Sequence, residues 1–161
     1  MNIRVYRIRK GAKIPVRVHK TDAGMDLFYC PDADPAKKSA PCTLGSDGSY
    51  SLGPGSSCLL STGLKVEVPK DHMLEIKNKS GVAFKRQLLV GACVVDAGYD
   101  GEVFVNLHNI GTSTQTIEPG QKIAQAVLTP IVTCGVEEVR EDKLNDNSSR
   151  QTGGFGSTGL Q

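Results

Sequence analysis

The feature that most constrains this chain is a succession of short runs that alternate apolar and polar residues. Gly, Pro, Asp or Asn breaks them every few positions. Lys65-Val66-Glu67-Val68 and Val103-Phe104-Val105-Asn106-Leu107 show the pattern most clearly. In an extended chain successive side chains point to opposite faces, so period two buries one face of a sheet. Candidate strands are residues 3–8, 57–61, 64–68, 72–76, 88–94, 102–107, 114–117 and 122–131. No long amphipathic helix competes with them. The best short helix starts at Ser80, whose hydroxyl can cap residues 81–85. Residues 135–144 read as strand and turn. Many short strands with turn signals between them predict an all-β barrel or sandwich.

The chain has 161 residues, enough for one domain with its own core. Its net charge of +2 gives no footprint for nucleic acid or a membrane surface. No apolar run approaches the roughly 18 residues a membrane span needs. The N-terminal Met-Asn-Ile-Arg-Val-Tyr-Arg alternates basic and apolar residues and has no signal-peptide apolar stretch, so the expected location is cytoplasmic. The five cysteines (Cys30, Cys42, Cys58, Cys93 and Cys134) are odd in number and include no C-x-x-C pair. That argues against a zinc site or a disulfide framework.

Two segments depart from the pattern. Residues 31–49 sit in a stretch rich in Pro, Ser, Gly and Asp and are expected to be an inserted surface loop. Residues 146–161 are small and polar apart from Phe155 and Leu160, and composition alone describes a flexible tail. The expected organisation is one domain over 1–145 with a Gly-rich C-terminal arm over 146–161.

Several residues could carry chemistry. In Arg150-Gln151-Thr152-Gly153-Gly154-Phe155-Gly156-Ser157-Thr158-Gly159, glycines let backbone amides approach an anion, and Arg150 can grip phosphate with a forked pair. The order G-x-x-x-x-G-K-[ST] of the common phosphate loop is missing. Val94-Val95-Asp96-Ala97-Gly98-Tyr99-Asp100-Gly101-Glu102-Val103 reads as two strands around a turn, a hairpin signal with an acid and an aromatic ring near its tip. Asn78-Lys79-Ser80-Gly81 offers a cation and a hydroxyl at a helix start, where anions are favoured. Each segment alone also fits an ordinary turn, cap or tail.

Taken together, the segments A-G-x-D-L, K-S-G-x-A, V-V-D-x-x-Y-x-G-E-V, G-x-K-I-A-Q and R-x-x-G-G-F-G-S-T-G are specific. They run from residue 23 to 159, and their order and spacing resemble those of the trimeric dUTPase family. The resemblance implies a jelly-roll-like β barrel that assembles as a homotrimer with sites shared between subunits. It implies hydrolysis of dUTP to dUMP and pyrophosphate, which keeps uracil out of DNA and supplies dUMP for thymidylate synthesis. Asp96 corresponds to the general base on the attacking water, and Tyr99 to the ring that packs on deoxyribose. The backbone around Cys93, Val95 and Val103–Phe104 would read the uracil edge. Lys79, Ser80, Gly81 and Gln125 would face phosphate, and Asp26 would hold, through water, a Mg²⁺ chelated by the triphosphate. Arg150, Gly156, Ser157 and Thr158 would close on the phosphates, with Phe155 over uracil.

Three positions depart from the family's usual residues. Lys79 and Lys122 stand where Arg is common, giving point charges in place of forks. Cys93 stands where a small residue is usual, and Lys122 is expected to be peripheral. The 31–49 segment has no family counterpart and could touch a protein partner. Two other readings are a dCTP deaminase-like enzyme of the same fold and a nucleotide-gated interaction module. Product analysis separates the first, and a pull-down with and without a dUTP analogue separates the second.

Overall fold

The computed structural model describes residues 2–32 and 43–144. The expected arm at 146–161 and the first part of the expected loop, 33–42, lie outside these residues. Twelve strands and one α-helix follow in order. They are β1 (Arg4–Arg7), β2 (Met25–Phe28), β3 (Thr43–Leu44), β4 (Tyr50–Leu52), β5 (Ser57–Ser61), β6 (Leu64–Glu67), β7 (His72–Lys77), α1 (Ser80–Arg86), β8 (Leu88–Val90), β9 (Val94–Asp96), β10 (Phe104–Asn109), β11 (Gln115–Ile117) and β12 (Lys122–Pro130). A 3₁₀ turn, Glu141–Lys143, follows.

The strands pair antiparallel in four sheets: β1-β6, β5-β10-β8, β11-β4-β3 and β2-β12-β7-β9. The fold is the expected all-β, jelly-roll-like kind. The ladders run in four separate sheets, so a closed barrel is not what the hydrogen bonds describe. Period-two burial holds where it was read. Val105 and Leu107 of β10, Leu64 and Val66 of β6, and Leu74 and Ile76 of β7 point into one core with Leu27, Leu60 and Ala126. Their alternate neighbours face outward, which fixes the register of each strand.

Four expectations need correction. Residues 88–94 are not one strand: β8 bonds to β10, β9 bonds to β7, and the chain changes sheets between them. For the same reason the segment around Asp96 is not a paired hairpin, since β9 and β10 belong to different sheets. Ser80 does not cap α1. Lys79 occupies the cap position with extended backbone, and no side chain caps the helix. Residues 43–52 are not loose loop, because β3 and β4 form a hairpin paired with β11. Buried Tyr29 anchors that hairpin by donating its hydroxyl to the Gly48 carbonyl at 2.8 Å.

Candidate active site

The four-stranded sheet carries expected site residues at two separate places on its outer face. The register Gln125↔Lys77 and Gln125↔Asp26 puts Asp26 and Gln125 side by side at one end. The register Met73↔Asp96 puts Asp96 at the other end of β7.

The first end is a carboxylate between two ammonium groups. Asp26 is almost fully buried, with Lys79 Nζ at 2.7 Å from Oδ1 and Lys122 Nζ at 2.6 Å from Oδ2. Burial pushes the Asp26 carboxyl up, but the Lys122 and Lys79 ammoniums outweigh it and hold the group below the ordinary carboxylate range. Asp26 Oδ2 is buried against the Lys122 ammonium, an ion pair without an aligned hydrogen bond. Gln125 donates Nε2 to the Asn78 carbonyl at 2.9 Å, and Asn78 Oδ1 accepts the Val90 N–H at 2.7 Å. These bonds tie β12, the start of α1 and β8 together. Ser80 and Gly81 stand beside Lys79 in the first turn.

Lys122 is therefore central, contrary to the peripheral role expected from the sequence. Three positions apart on a regular strand, Lys122 and Gln125 would face opposite ways. The pairing shifts by one residue between Lys122 and Ala124, and this bulge turns both side chains toward Asp26.

Among the described residues no three His, Cys, Asp or Glu side chains gather as a metal cage. An ion whose inner ligands are phosphate and water needs only an outer carboxylate, and Asp26 is the carboxylate at this end of the sheet.

The second end is a cavity of about 210 Å³ between β9 and β10. Leu59, Ile76, Cys93, Val95, Val103, Phe104 and Asn106 line it, with Asp96 and Tyr99 at its rim. Its origin is the change of sheets. The Gly91 N–H donates to the Asn106 carbonyl at 2.9 Å, the last rung between this segment and β10. The Asn106 and His108 side chains fold over Gly91, where a Cβ would lie 2.2 Å from Asn106 Oδ1 and displace them. Beyond it the Cys93 carbonyl accepts from the Ile76 N–H at 2.7 Å, and the strands have diverged.

Strand parity decides which backbone groups face this gap. Polar groups of successive residues alternate between the two edges of a strand. Asn106 faces Gly91, so Phe104, two residues earlier, presents its N–H and C=O to the same edge. Val103 faces the other way: its N–H donates to the Leu64 carbonyl at 2.8 Å, and its carbonyl accepts the Thr62 hydroxyl at 2.6 Å. Val103 thus lines the cavity with its side chain, and the backbone of Phe104 faces it. Asp96 is exposed on the edge strand. The Tyr99 hydroxyl donates to the Glu102 carbonyl at 3.1 Å.

The structure thus separates Asp26, Lys79, Ser80, Gly81 and Gln125 from Cys93, Val95, Asp96, Tyr99 and Val103. Arg150, Phe155, Gly156, Ser157 and Thr158 lie outside the described residues. The sequence reading named the Phe104 backbone but missed Asn106 as a cavity wall, together with Arg9 and Glu102, described below.

An all-β protein with a narrow backbone-lined cavity beside a carboxylate, and a cationic cluster at the far end of the same sheet, is suited to a small anionic ligand with a flat head group. The comparisons with known proteins are specific. The dUTPase family model matches residues 35–159, and the chain belongs to the dUTPase family. It is 37% identical over 162 residues to the deoxyuridine 5′-triphosphate nucleotidohydrolase of Gloeothece citriformis, covering 99% of this chain and 98% of the relative. It superposes on the dUTPase of Staphylococcus bacteriophage 80alpha with dUpNHpp at a TM-score of 0.80 and 27% identity, covering 99% of both chains. A mutant dUTPase of phage phi11 of S. aureus, reported with a structural Mg(II) ion, shares the fold at a TM-score of 0.73 and 24% identity, over 89% of this chain and 100% of that one.

Proposed function

We propose that this chain hydrolyses dUTP to dUMP and pyrophosphate in the cytoplasm, keeping uracil out of DNA and supplying dUMP. The observation that carries the reading is the cavity between β9 and β10, with Asp96 and Tyr99 at its rim. The N–H and C=O of Phe104 match the O4 acceptor and N3 donor of uracil. The N4 amino group of cytosine would meet a donor, and a site built on such a pair rejects the wrong partner strongly. The thymine methyl must be excluded by lack of space. Tyr99 packs on the sugar where a 2′-hydroxyl would otherwise fit.

Asp96 accepts a proton from a water that attacks the α-phosphorus. The new P–O bond forms as the bond to the bridging oxygen breaks, and pyrophosphate leaves with the negative charge. A positioned base of this kind contributes ~10²–10⁴-fold. Lys79, Ser80, Gly81 and Gln125 hold phosphate oxygens and offset their charge. Asp26 would hold, through water, a Mg²⁺ that would lower the charge of the triphosphate it binds. Arg150, Gly156, Ser157 and Thr158 cover the phosphates, and Phe155 covers uracil.

The two halves of this site are combined between subunits of a homotrimer. Two features support that reading. Within one chain the halves sit at opposite ends of β7. In addition, every residue from Ile131 to Leu144 is exposed, with Val132 at 93% and Val136 at 99%. Apolar side chains on an extended, uncovered segment are suited to lie against another copy. The decisive assay is pyrophosphate release from dUTP, dCTP, dTTP and UTP with Mg²⁺. Turnover of dUTP at least about a hundredfold above the others is expected, and equal turnover or ammonia release from dCTP would overturn the reading.

A further inference from the structure

A buried ion pair connects the N-terminal segment to the loop that carries Tyr99. The Arg9 guanidinium forks onto the Glu102 carboxylate, with Nη1–Oε2 at 3.1 Å and a shorter Nη2–Oε1 contact. The Glu102 side chain is only 8% exposed. Its Oε1 also accepts the Gly63 N–H at 2.7 Å. Arg9 Nη2 further donates to the Cys30 carbonyl at 3.4 Å, and Asp32 lies 3.8 Å from Nη1. The carboxylate is therefore fixed from the N-terminal segment and from the β5–β6 turn at once. Bidentate geometry sets direction as well as distance.

The backbone of the same residue holds the tyrosine. The Tyr99 hydroxyl donates to the Glu102 carbonyl at 3.1 Å. The ring lies over Gly101, where a Cβ would come within 2.2 Å of that hydroxyl. One residue further on, Val103 is bonded to Leu64 and Thr62, so the return leg of the loop is pinned just before Phe104. The position of the ring is thus set by the Glu102 main chain, and that main chain by the Glu102 side chain.

We propose that Arg9 and Glu102 are a positioning pair that holds Tyr99 where it excludes a 2′-hydroxyl, making them determinants of deoxyribose selectivity. The Glu102 carboxylate is engaged by Arg9 and the Gly63 N–H, so the pair acts through the loop that carries Tyr99. A salt bridge serving stability alone would lower the melting temperature and leave the relative handling of two substrates unchanged. A positioning pair changes their ratio. The inference rests on the reading of the chain as a dUTP hydrolase and on Tyr99 as the sugar wall.

The test uses the full chain and compares kcat/KM for dUTP and UTP in the parent, Glu102→Gln and Arg9→Lys. Glu102→Gln keeps the shape and loses the charge; Arg9→Lys keeps the charge and loses the fork. Both are expected to lower the dUTP/UTP ratio by about tenfold, with Glu102→Asp recovering part of it. In a Tyr99→Phe background, which lacks the hydroxyl link, the Arg9→Lys change should have a smaller further effect on the ratio. An unchanged ratio in both variants overturns the proposal, as does equal loss in the Tyr99→Phe background. Failure of both variants to fold also overturns it, because it assigns the pair to stability. A parent that does not hydrolyse dUTP fails the functional reading itself, and that result is visible before any variant is measured.

Discussion

Mixing two inactive variants tests the shared site directly. Asp96 is opposite Met73, and Gln125 is opposite Lys77. These partners are four residues apart on β7, which is ~13 Å at ~3.3 Å per residue. A water held by Asp96 has to reach phosphorus at hydrogen-bond range, so donors to the same phosphate must lie nearby. Two short side chains on one face do not close that gap within one chain. Asp96→Ala and Gln125→Ala should each be inactive. Both should fold, because Asp96 is exposed and Gln125 loses one bond, to the Asn78 carbonyl, at about 1 kcal/mol. The two chains are refolded together in equal amounts, and mixed trimers are confirmed by native mass spectrometry. Each site then draws an intact Asp96 half the time and an intact Gln125 half the time. About a quarter of the parent's turnover should return under threefold closure. If one chain supplied both groups, every site would carry a lesion. Mixed trimers as inactive as their parents would refute the reasoning.

Three further outcomes are expected. Asp96→Asn should keep stability within about 0.5 kcal/mol of the parent, as an exposed edge substitution, and lose nearly all turnover; a rate within about tenfold of the parent would move the base elsewhere. Asp26 has a carboxyl held below its ordinary range, so its contribution to stability is complete above the unfolded value near pH ~4 and is lost as pH falls through the folded value. Denaturant titrations from pH 6 down to 3 should therefore show a steeper acid loss for the parent than for Asp26→Asn, and parallel curves would contradict the pairing with Lys79 and Lys122. The core cluster is assembled from residues between Ile3 and Leu128, so removing 150–161 should leave the melting temperature within about 2 °C and abolish most turnover; a large drop would make the arm structural.

How much of this was legible in the sequence depends on the local environment of each run. β5 matches its expected bounds, and β6, β7 and β12 match within a residue, because each has one face in the core and one outside. β2 was missed because Asp26, Leu27 and Phe28 are all buried, and burial on both faces erases alternation. β4 was missed because it lies inside the Gly-, Ser- and Pro-rich stretch that read as loop. The change of sheets after Val90 was hidden, since the apolar run continues into Val94 and only Gly91 marks the break. The residue types of the site were readable as motifs. Their grouping was not, because it depends on a bulge at Lys122 and on an ion pair joining positions 93 apart.

The base cavity and the division of the site both follow from that one change of sheets. A strand running straight from residue 88 to 96 along β10 would bond Cys93 to Phe104 and fill the gap. By leaving β10 after Gly91 and joining β7, the chain turns the backbone edge of Phe104 toward the cavity. In the proposed reading, recognition rests on main-chain groups whose placement is set by two packed sheets, and not on side-chain rotamers. A side chain at position 93 is compatible with such a site, since Cys93 contributes its backbone and its carbonyl is already tied to Ile76. The same step carries Asp96 to the Met73 end of β7, away from the phosphate donors at the Lys77 end. On the proposed function, a strand exchange that opens the cavity for uracil also takes Asp96 away from its own chain's Asp26, Lys79 and Gln125, and a neighbouring copy supplies the missing half.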